Sequence, residues 1–330
     1  MDYQRRKSLM LLSGACAGVF LPALSVGKLN NYPSKAVNVV VPYGAGGSTD
    51  LIARLLVSDI SSRYSGKFFV ENKAGAAGNI GVRYVASSAP DGATLLYSTA
   101  TPFAINPFVY KTLPFDPDND LIPIARTVQL PLVLVVNKEI GVSSIQELID
   151  YLKKNEDKCS FSSYGVGTSS HIAGANFVNK IGVPDVLHVP YKDMKAMPDL
   201  AAGRNTFHID AWSVVAPLID SGKLLPLAVS SSQSLPWAPE LPTIADSIGK
   251  DYEIVTWHAV FAPKGTPAEI VDFLNGEFKI AVQSDGIRKT LKEQGFLEYP
   301  HLKPAEVAAF IDKEKVRWKG YVETAGIEPM

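Results

Sequence analysis

Two glycine- and hydroxyl-rich loops, each between a β-prone run and a helix, carry the most evident chemistry in this sequence. The first copy spans 39–50 (VVVPYGAGGSTD) and the second spans 160–171 (SFSSYGVGTSSH). The first N–H groups of a helix have no intrahelical partner and lie at the positive end of its dipole. Glycines let an anion approach such a backbone closely. The repeated pattern therefore predicts two lobes that hold one anionic ligand between them.

In both loops we expect main-chain groups, rather than charged side chains, to contact the ligand. Asp50 is expected to act as a helix cap or to pair with Arg54 one turn on, because a carboxylate repels an anionic ligand. His171 is expected to be a neutral structural histidine. The candidate ligand-binding residues of the loops are Tyr43, Gly44, Ala45, Gly46, Gly47, Ser48, Gly167, Thr168, Ser169 and Ser170.

Further candidates lie at the ends of other predicted strands, where α/β sheets bind ligands. Thr99, Ala100 and Thr101 follow the strand at 94–98. Tyr191 either contacts the ligand or covers a hinge. Asp210 either accepts a hydrogen bond in the cleft or caps the next helix. The loop at 75–78 (GAAG) is either a third anion nest or, as we favour, a support for its lobe.

Composition is typical of an α/β protein with two domains. The chain has 330 residues, 46% of them hydrophobic, and a formal net charge of −1. It shows no basic patch, so no nucleic-acid partner is expected. No cofactor, metal or catalytic residue is predicted. A hydrolase stays a distant alternative, because no Gly-x-Ser-x-Gly elbow is present.

The N-terminus resembles an export signal. A basic stretch at 5–7 (RRK), an apolar run at 9–21 and a small-x-small site at 23–25 (ALS) predict a signal peptide over 1–27. The secretory route is favoured over twin-arginine export, since Ser8 stands where the latter pattern prefers Phe. A lipoprotein signal at Cys16 is the weaker alternative. Removal of the segment leaves Cys159 alone, which excludes a disulfide framework.

Strand-like and helix-like segments alternate, which predicts α/β architecture with largely parallel sheets. Helices are expected to be capped by Ser144 with Glu147, by Thr266 with Glu269, and by Ser284. Predicted strands lie at 37–41, 68–70, 94–98, 132–136, 160–163, 186–189, 207–210, 224–229 and 254–261. Predicted helices include 48–64, 79–88, 144–152, 168–180 and three after 265.

The order of these segments predicts two hinged lobes, at 28–128 plus 252–330 and at 129–251. Two crossovers would join them around a cleft.

Nine short motifs, in this order along the chain, resemble the Bug family, the tripartite tricarboxylate transporter receptors. Each motif is only modestly specific, but the ordered set spans essentially the whole mature chain. The motifs are 32–35 (YPSK), 39–50, 71–81 (ENKAGAAGNIG), 89–92 (APDG), 104–107 (AINP), 113–117 (LPFDP), 165–171, 188–192 (HVPYK) and 262–267 (APKGTP).

The resemblance implies a type II periplasmic binding protein fold. It implies a monomeric periplasmic receptor that passes a small carboxylate to a two-component membrane permease. It also implies binding through loop amides and waters rather than an arginine, and it favours Asp210 as a cleft residue. The chain departs from the family pattern at Ala74, Asp193, Met194, Asn205 and Thr206, and two of these changes are expected near the cleft rim.

Ligand identity is left open by the sequence. Five aromatic residues either line an apolar middle of the cleft or belong to the core: Tyr43, Phe103, Tyr164, Tyr191 and Trp257. The first case would suit an aromatic dicarboxylate such as terephthalate, beside aliphatic dicarboxylates, citrate or acidic amino acids. A receptor that presents its ligand to a sensor kinase is the alternative to transport.

Overall fold

The computed structural model describes residues 32–191 and 195–329. The predicted signal peptide, including Cys16, and the positions Asp193 and Met194 lie outside the described residues. Within the described part, none of the helices combines the length and apolar character that crossing a membrane requires.

Strands and helices alternate over the described chain. The strands are β1 Val37–Val41, β2 Phe68–Asn72, β3 Thr94–Thr99, β4 Leu121–Asn137, β5 Ser160–Ser163, β6 Leu187–Pro190, β7 Phe207–Ala211, β8 Leu224–Val229, β9 Val255–Pro263 and β10 Leu297–Glu298. The α-helices are α1 Ser48–Arg63, α2 Asn79–Ala86, α3 Asn106–Val109, α4 Ile145–Lys154, α5 Ser169–Ile181, α6 Ala196–Ala201, α7 Trp212–Asp220, α8 Ile244–Ile248, α9 Ala268–Gln283, α10 Asp285–Glu293 and α11 Pro304–Thr324.

Two groups of strands form one curled, mixed sheet in the order β2-β1-β3-β9-β4-β7-β5-β6. In the first group β1 pairs in parallel with β2 and β3. In the second group β5 pairs in parallel with β6 and β7. Parallel neighbours place the loops after their strands along one edge, which brings the glycine-rich loops to comparable positions in the two groups.

Strand β4 belongs to both groups, and this corrects the prediction of a short strand at 132–136. Its part from Leu121 to Pro131 pairs with β9, and its part from Leu132 onward pairs with β7 and β8. All of these pairings are antiparallel, so the prediction of largely parallel sheets holds for the outer strands and not for the shared ones. The part of β4 before residue 132 was not predicted as a strand, because Pro123 and Pro131 interrupt its apolar pattern.

Two predicted capping boxes do not form as expected. The Thr266 hydroxyl donates backward to the carbonyl of Pro263 at 2.8 Å, and α9 has Pro267 as an N-cap without a side-chain bond. Ser144 does accept from the Glu147 amide at 3.2 Å, but the Glu147 carboxylate binds Ser143 instead of the N-cap amide. Ser284 is the N-cap of α10, again without a side-chain bond.

The C-terminal helix α11 packs on both groups of strands. Trp257 of β9 and Trp318 of α11 are fully buried, and both indole N–H groups donate to the Glu314 carboxylate at 3.2 Å. On the other side, the Asn176 amide of α5 donates to the carbonyl of Tyr321 at 2.8 Å. The helix therefore ties the two halves of the molecule together behind the loops.

Ser230 joins the two chain segments that run between the groups of strands. Its hydroxyl accepts from the Leu132 amide at 2.8 Å and donates to the Ile254 carbonyl at 2.6 Å. Its main chain bonds the same two residues, at 2.8 Å to the Leu132 carbonyl and 3.1 Å from the Ile254 amide. The side chain is 0% exposed, so water cannot replace these bonds.

Replacing Ser230 with Ala should lower the free energy of unfolding by about 1–3 kcal/mol, because it leaves the buried Leu132 N–H without a partner. Ser232→Ala is the matched control, since its hydroxyl bonds Glu253 at the surface. Urea denaturation of both variants measures the difference. Equal stability of the two would show that Ser230 does not hold the crossovers.

Candidate ligand site

The second glycine-rich loop ends at the N-terminus of α5 with its backbone tightly constrained. Gly165 and Gly167 have φ values of 121° and 79°, which favour glycine. The Thr168 hydroxyl donates to the Gly165 carbonyl at 2.8 Å and accepts from the His171 amide at 3.4 Å as the N-cap. The amides of Ser169 and Ser170 are the first two of the helix and have no intrahelical acceptor.

His171 holds this loop as a hydrogen-bond acceptor. Its Nδ1 accepts from the Gly167 amide at 3.2 Å, and its ring stacks on His188 with centroids 3.8 Å apart. Burial lowers the pKa of His171 to about 4, and burial together with His171 lowers the pKa of His188 to about 4. Both rings are therefore neutral at pH 7, and a protonated Nδ1 could not accept the Gly167 bond.

The first glycine-rich loop is pinned by Asp50, which is 3% exposed. Its carboxylate accepts from the Gly46 amide at 2.9 Å, from Arg54 Nε at 3.0 Å and from Asn72 Nδ2 at 2.8 Å. Burial opposes ionisation, but these bonds hold the pKa of Asp50 below its ordinary value. Asp50 thus holds the loop directly through the Gly46 amide, while Gly44 to Gly47 lie exposed to solvent.

A cavity of about 310 Å³ opens between the second loop and the region around α3. Its described lining contains neither lysine nor arginine, so the α5 N-terminus supplies its main attraction for an anion. The lining residues are Tyr43, Ala77, Thr101, Asn106, Val109, Tyr110, Tyr164, Val166, Gly167, Thr168, Ser169 and Ser170.

Six of the predicted candidates line this cavity: Tyr43, Thr101, Gly167, Thr168, Ser169 and Ser170. The others lie elsewhere. Thr99 bonds the Tyr43 hydroxyl at 2.6 Å, and Ala100 is fully buried. The first-loop candidates Gly44, Ala45, Gly46, Gly47 and Ser48 are not part of the lining.

Tyr191 and Asp210 are not among the lining residues, and both bond neighbouring groups. The Tyr191 hydroxyl donates to Asp199 and accepts from Asn205, both at 2.9 Å. Asp210 Oδ1 accepts from the Ala211 amide at 2.7 Å, at the start of α7. Burial and the Asp210 carboxylate raise the pKa of Tyr164, which itself lines the cavity.

Of the five aromatic candidates for the apolar middle, Tyr43 and Tyr164 line the cavity. Phe103 and Trp257 belong to the core, where Phe103 stacks on Phe261 at 4.0 Å between centroids. The sequence did not single out Asn106, Val109, Tyr110 or Val166 as lining residues, whereas Ala77 belongs to the 75–78 loop that was considered as a third anion nest. Ala77 and Asn106 do fall in two of the family-like motifs, so a signal for them was present.

A serine, a histidine and an aspartate also lie together beside the site. Ser162 Oγ is 2.8 Å from His208 Nδ1, and His208 Nε2 is 3.4 Å from Asp210 Oδ2. Ser162 and His208 are both fully buried, so a substrate cannot reach the hydroxyl. Among the described residues, no group of three or more His, Cys, Asp or Glu side chains is placed to hold a metal ion.

The buried histidines predict that stability falls in mild acid. The unfolded chain binds protons near the ordinary histidine pKa of about 6.5 and folded His171 only near 4. The stabilisation from neutral His171 is therefore fully present above pH 6.5 and declines as the pH falls toward 4, by about 3 kcal/mol. His171→Asn should flatten this decline in urea denaturation series, whereas His301→Gln, at an exposed position, should leave it. A parental pH slope in His171→Asn would refute the assignment.

Both the sequence and the fold of this chain are similar to those of known proteins. Residues 52–327 match the family described as "Tripartite tricarboxylate transporter family receptor". Protein BugT of Bordetella pertussis is 31% identical over 328 residues, covering 99% of each chain. The structure of Rpa4515 from R. palustris with adipate has a TM-score of 0.82 and 34% identity, covering 91% of this chain and 100% of that one.

The structure of the periplasmic binding protein BugD has a TM-score of 0.77 and 33% identity, with coverage of 91% and 100%. These proteins share the two-lobe fold, as the type II prediction implied. The matched residues, the relatives and the fold agree, and the chain belongs to the tripartite tricarboxylate transporter receptors, the Bug family.

Proposed function

We propose that this protein is a periplasmic receptor that captures a small carboxylate and delivers it to a two-component membrane permease. One observation carries the proposal: the amides of Ser169 and Ser170 begin α5 at the wall of a cavity. The described residues that line this cavity include no charged side chain. A carboxylate there accepts charge-assisted hydrogen bonds from these amides, worth about 1.5–3 kcal/mol each. Adipate bound to the related Rpa4515 supports a carboxylate as the ligand class.

The cellular setting follows from the family and the N-terminal sequence. Export by the signal peptide at 1–27 would place the mature chain in the periplasm, as a monomer without a nucleic-acid partner. The receptor family implies the permease. Transport of the bound carboxylate into vesicles that carry the permease would distinguish delivery from presentation to a sensor kinase. We propose residues 28–128 plus 252–330 as one moving lobe and residues 129–251 as the other.

The cavity suits one small molecule. Its volume of about 310 Å³ lies at the low end of the roughly 300–1,000 Å³ of ligand pockets. Tyr43, Tyr110 and Tyr164 provide apolar ring surface beside the hydroxyls. Terephthalate, aliphatic dicarboxylates, citrate and acidic amino acids are thus the first compounds to titrate.

Closure of the lobes is the mechanism we propose for capture. Gly167 of the second loop and Val109 of α3 are close neighbours across the cavity. A carboxylate at the α5 N-terminus that also contacts the α3 side binds best when the two sides approach. Binding then shifts the population toward the closed form.

Ser169→Pro should abolish most carboxylate binding, because proline removes the first free N–H of α5. Proline is tolerated at this first helical position, and Thr168 before it already has an extended ψ of 159°. Ser169→Ala is the control, since it keeps the N–H and removes only the hydroxyl. Calorimetric titration compares the two variants. Equal losses of affinity would contradict binding through the main chain.

Gly167→Ala should weaken binding far more than Gly46→Ala. Both glycines have positive φ, of 79° and 82°, so both variants pay the same backbone cost of about 1–2 kcal/mol. A Cβ at Gly167 would also lie 2.9 Å from Val109 Cγ1. A Cβ at Gly46 would have no atom of the described residues within 4 Å. Calorimetric titration with a carboxylate measures the difference, at a temperature where both variants are equally folded. Equal affinities of the two variants would argue against this cavity as the binding site.

The test of the function itself is calorimetric titration of residues 28–330, after unfolding and refolding to remove carried-over ligand. The panel holds aromatic and aliphatic mono-, di- and tricarboxylates and acidic amino acids. Saturable one-to-one binding without turnover would support the receptor. Turnover of a carboxylic ester or amide would replace it with an enzyme, and failure of every carboxylate to bind would overturn the proposal.

A further inference from the structure

Asn106 is a deeply buried polar residue in the cavity wall. It begins α3 directly after the π-helical turn Thr101–Ile105, and it is 2% exposed. It lines the cavity together with Thr101 and Tyr110 from one part of the chain, and the loop before α5 supplies lining residues from another. A ligand whose carboxylate binds Ser169 and Ser170 therefore extends toward Asn106.

Both amide hydrogens of Asn106 are already used. Nδ2 donates to the Ala77 carbonyl at 3.1 Å and to Asn79 Oδ1 at 2.7 Å. A main-chain carbonyl can only accept, so this pairing fixes which end of the Asn106 amide is the nitrogen. Within the described residues no hydrogen bond reaches Asn106 Oδ1. The polar group that Asn106 can offer a ligand is therefore an acceptor.

These hydrogens cannot be released easily, because they hold a strained loop. Ala76 and Ala77 have φ values of 47° and 52°, between Gly75 and Gly78 that also have positive φ. Left-handed alanine is unfavourable and persists only where the surroundings enforce it. The bond from Asn106 to the Ala77 carbonyl is part of that enforcement. Turning the amide to donate to a ligand would leave Ala77 without its partner.

The charges around the cavity oppose a second carboxylate at this end. The described lining includes neither lysine nor arginine, and it includes the N-terminus of the 13-residue helix α5. The Asp210 carboxylate lies close to the buried Tyr164 hydroxyl and, together with burial, raises its pKa. The hydroxyls of Thr101 and Tyr110 can donate or accept, whereas the free oxygen of Asn106 can only accept.

We infer that Asn106 is a specificity residue that accepts a hydrogen bond from the ligand, so the preferred ligand is a carboxylate whose other end bears a hydroxyl or ammonium group. This inference rests on the proposed function and narrows its ligand class. Ala77, which Asn106 positions, closes the same wall.

Matched ligands test the inference on the unaltered protein. At each chain length from four to six carbons, calorimetry compares the alkanoate, the ω-hydroxyalkanoate, the ω-aminoalkanoate and the dicarboxylate. The hydroxy acid and the amino acid should bind about tenfold more tightly than the alkanoate and the dicarboxylate. Neither the alkanoate nor the dicarboxylate supplies a hydrogen-bond donor to the Asn106 oxygen. A dicarboxylate or alkanoate that binds as tightly would overturn the inference while leaving the carboxylate receptor intact. Binding by none of the four classes at any length would instead count against the proposed function.

Variants separate recognition from support of the loop. Asn106→Ala should remove the preference for the hydroxy or amino acid. Adding Ala77→Gly should restore thermal stability, since glycine accepts the left-handed conformation without cost, and should not restore the preference. Asn275→Ala is the control, because that amide donates to two main-chain carbonyls at 2.8 and 2.9 Å away from the cavity, and it should keep the preference. A preference that survives in the double variant would show that Asn106 only supports the loop.

Discussion

An anion site with an uncharged lining depends on where the backbone points. An arginine side chain can adjust to its ligand, but a main-chain N–H is aimed only by the φ and ψ values around it. The loop before α5 therefore has to be held rigidly from behind. The N-cap bond of Thr168 and the acceptor nitrogen of His171 do this, and burial keeps His171 in the neutral form that the bond requires.

The other loops show the same division between contact and support. Asp50 was expected to cap a helix or pair with Arg54, and its carboxylate accepts from the Gly46 amide, Arg54 and Asn72. Asn106 likewise uses both amide hydrogens to hold Ala77 and Asn79. Buried polar groups in this protein thus orient main-chain segments, because an unpaired polar group in the interior would cost more than the bond contributes.

Strand β4 joins the two halves of the molecule. It pairs with β9 in one half and with β7 and β8 in the other, so both halves share a single backbone segment. Ser230 links that segment to the second crossover at Leu132 and Ile254. Helix α11 adds a third connection through Asn176 and Tyr321. Any closing motion has to bend these few points while the loops keep their shape.

Local pattern was enough to predict much of this protein. Strand β8 at 224–229 has the predicted limits, α1 ends one residue earlier than predicted, and α5 is shifted by one residue at both ends. These segments are bounded by glycine or hydroxyl residues, which are local properties of the chain. The ordered motifs also identified the family, which the comparisons confirm.

Tertiary structure decided what local pattern could not express. The length of β4 depends on partners from distant parts of the chain, which satisfy its backbone despite Pro123 and Pro131. The cavity wall depends on Asn106 reaching Ala77, 29 residues away. Whether a glycine-rich loop faces a cavity or solvent depends on the packing of the whole molecule. The sequence therefore determined which groups can bind an anion, and the fold determined which of them meet around one cavity.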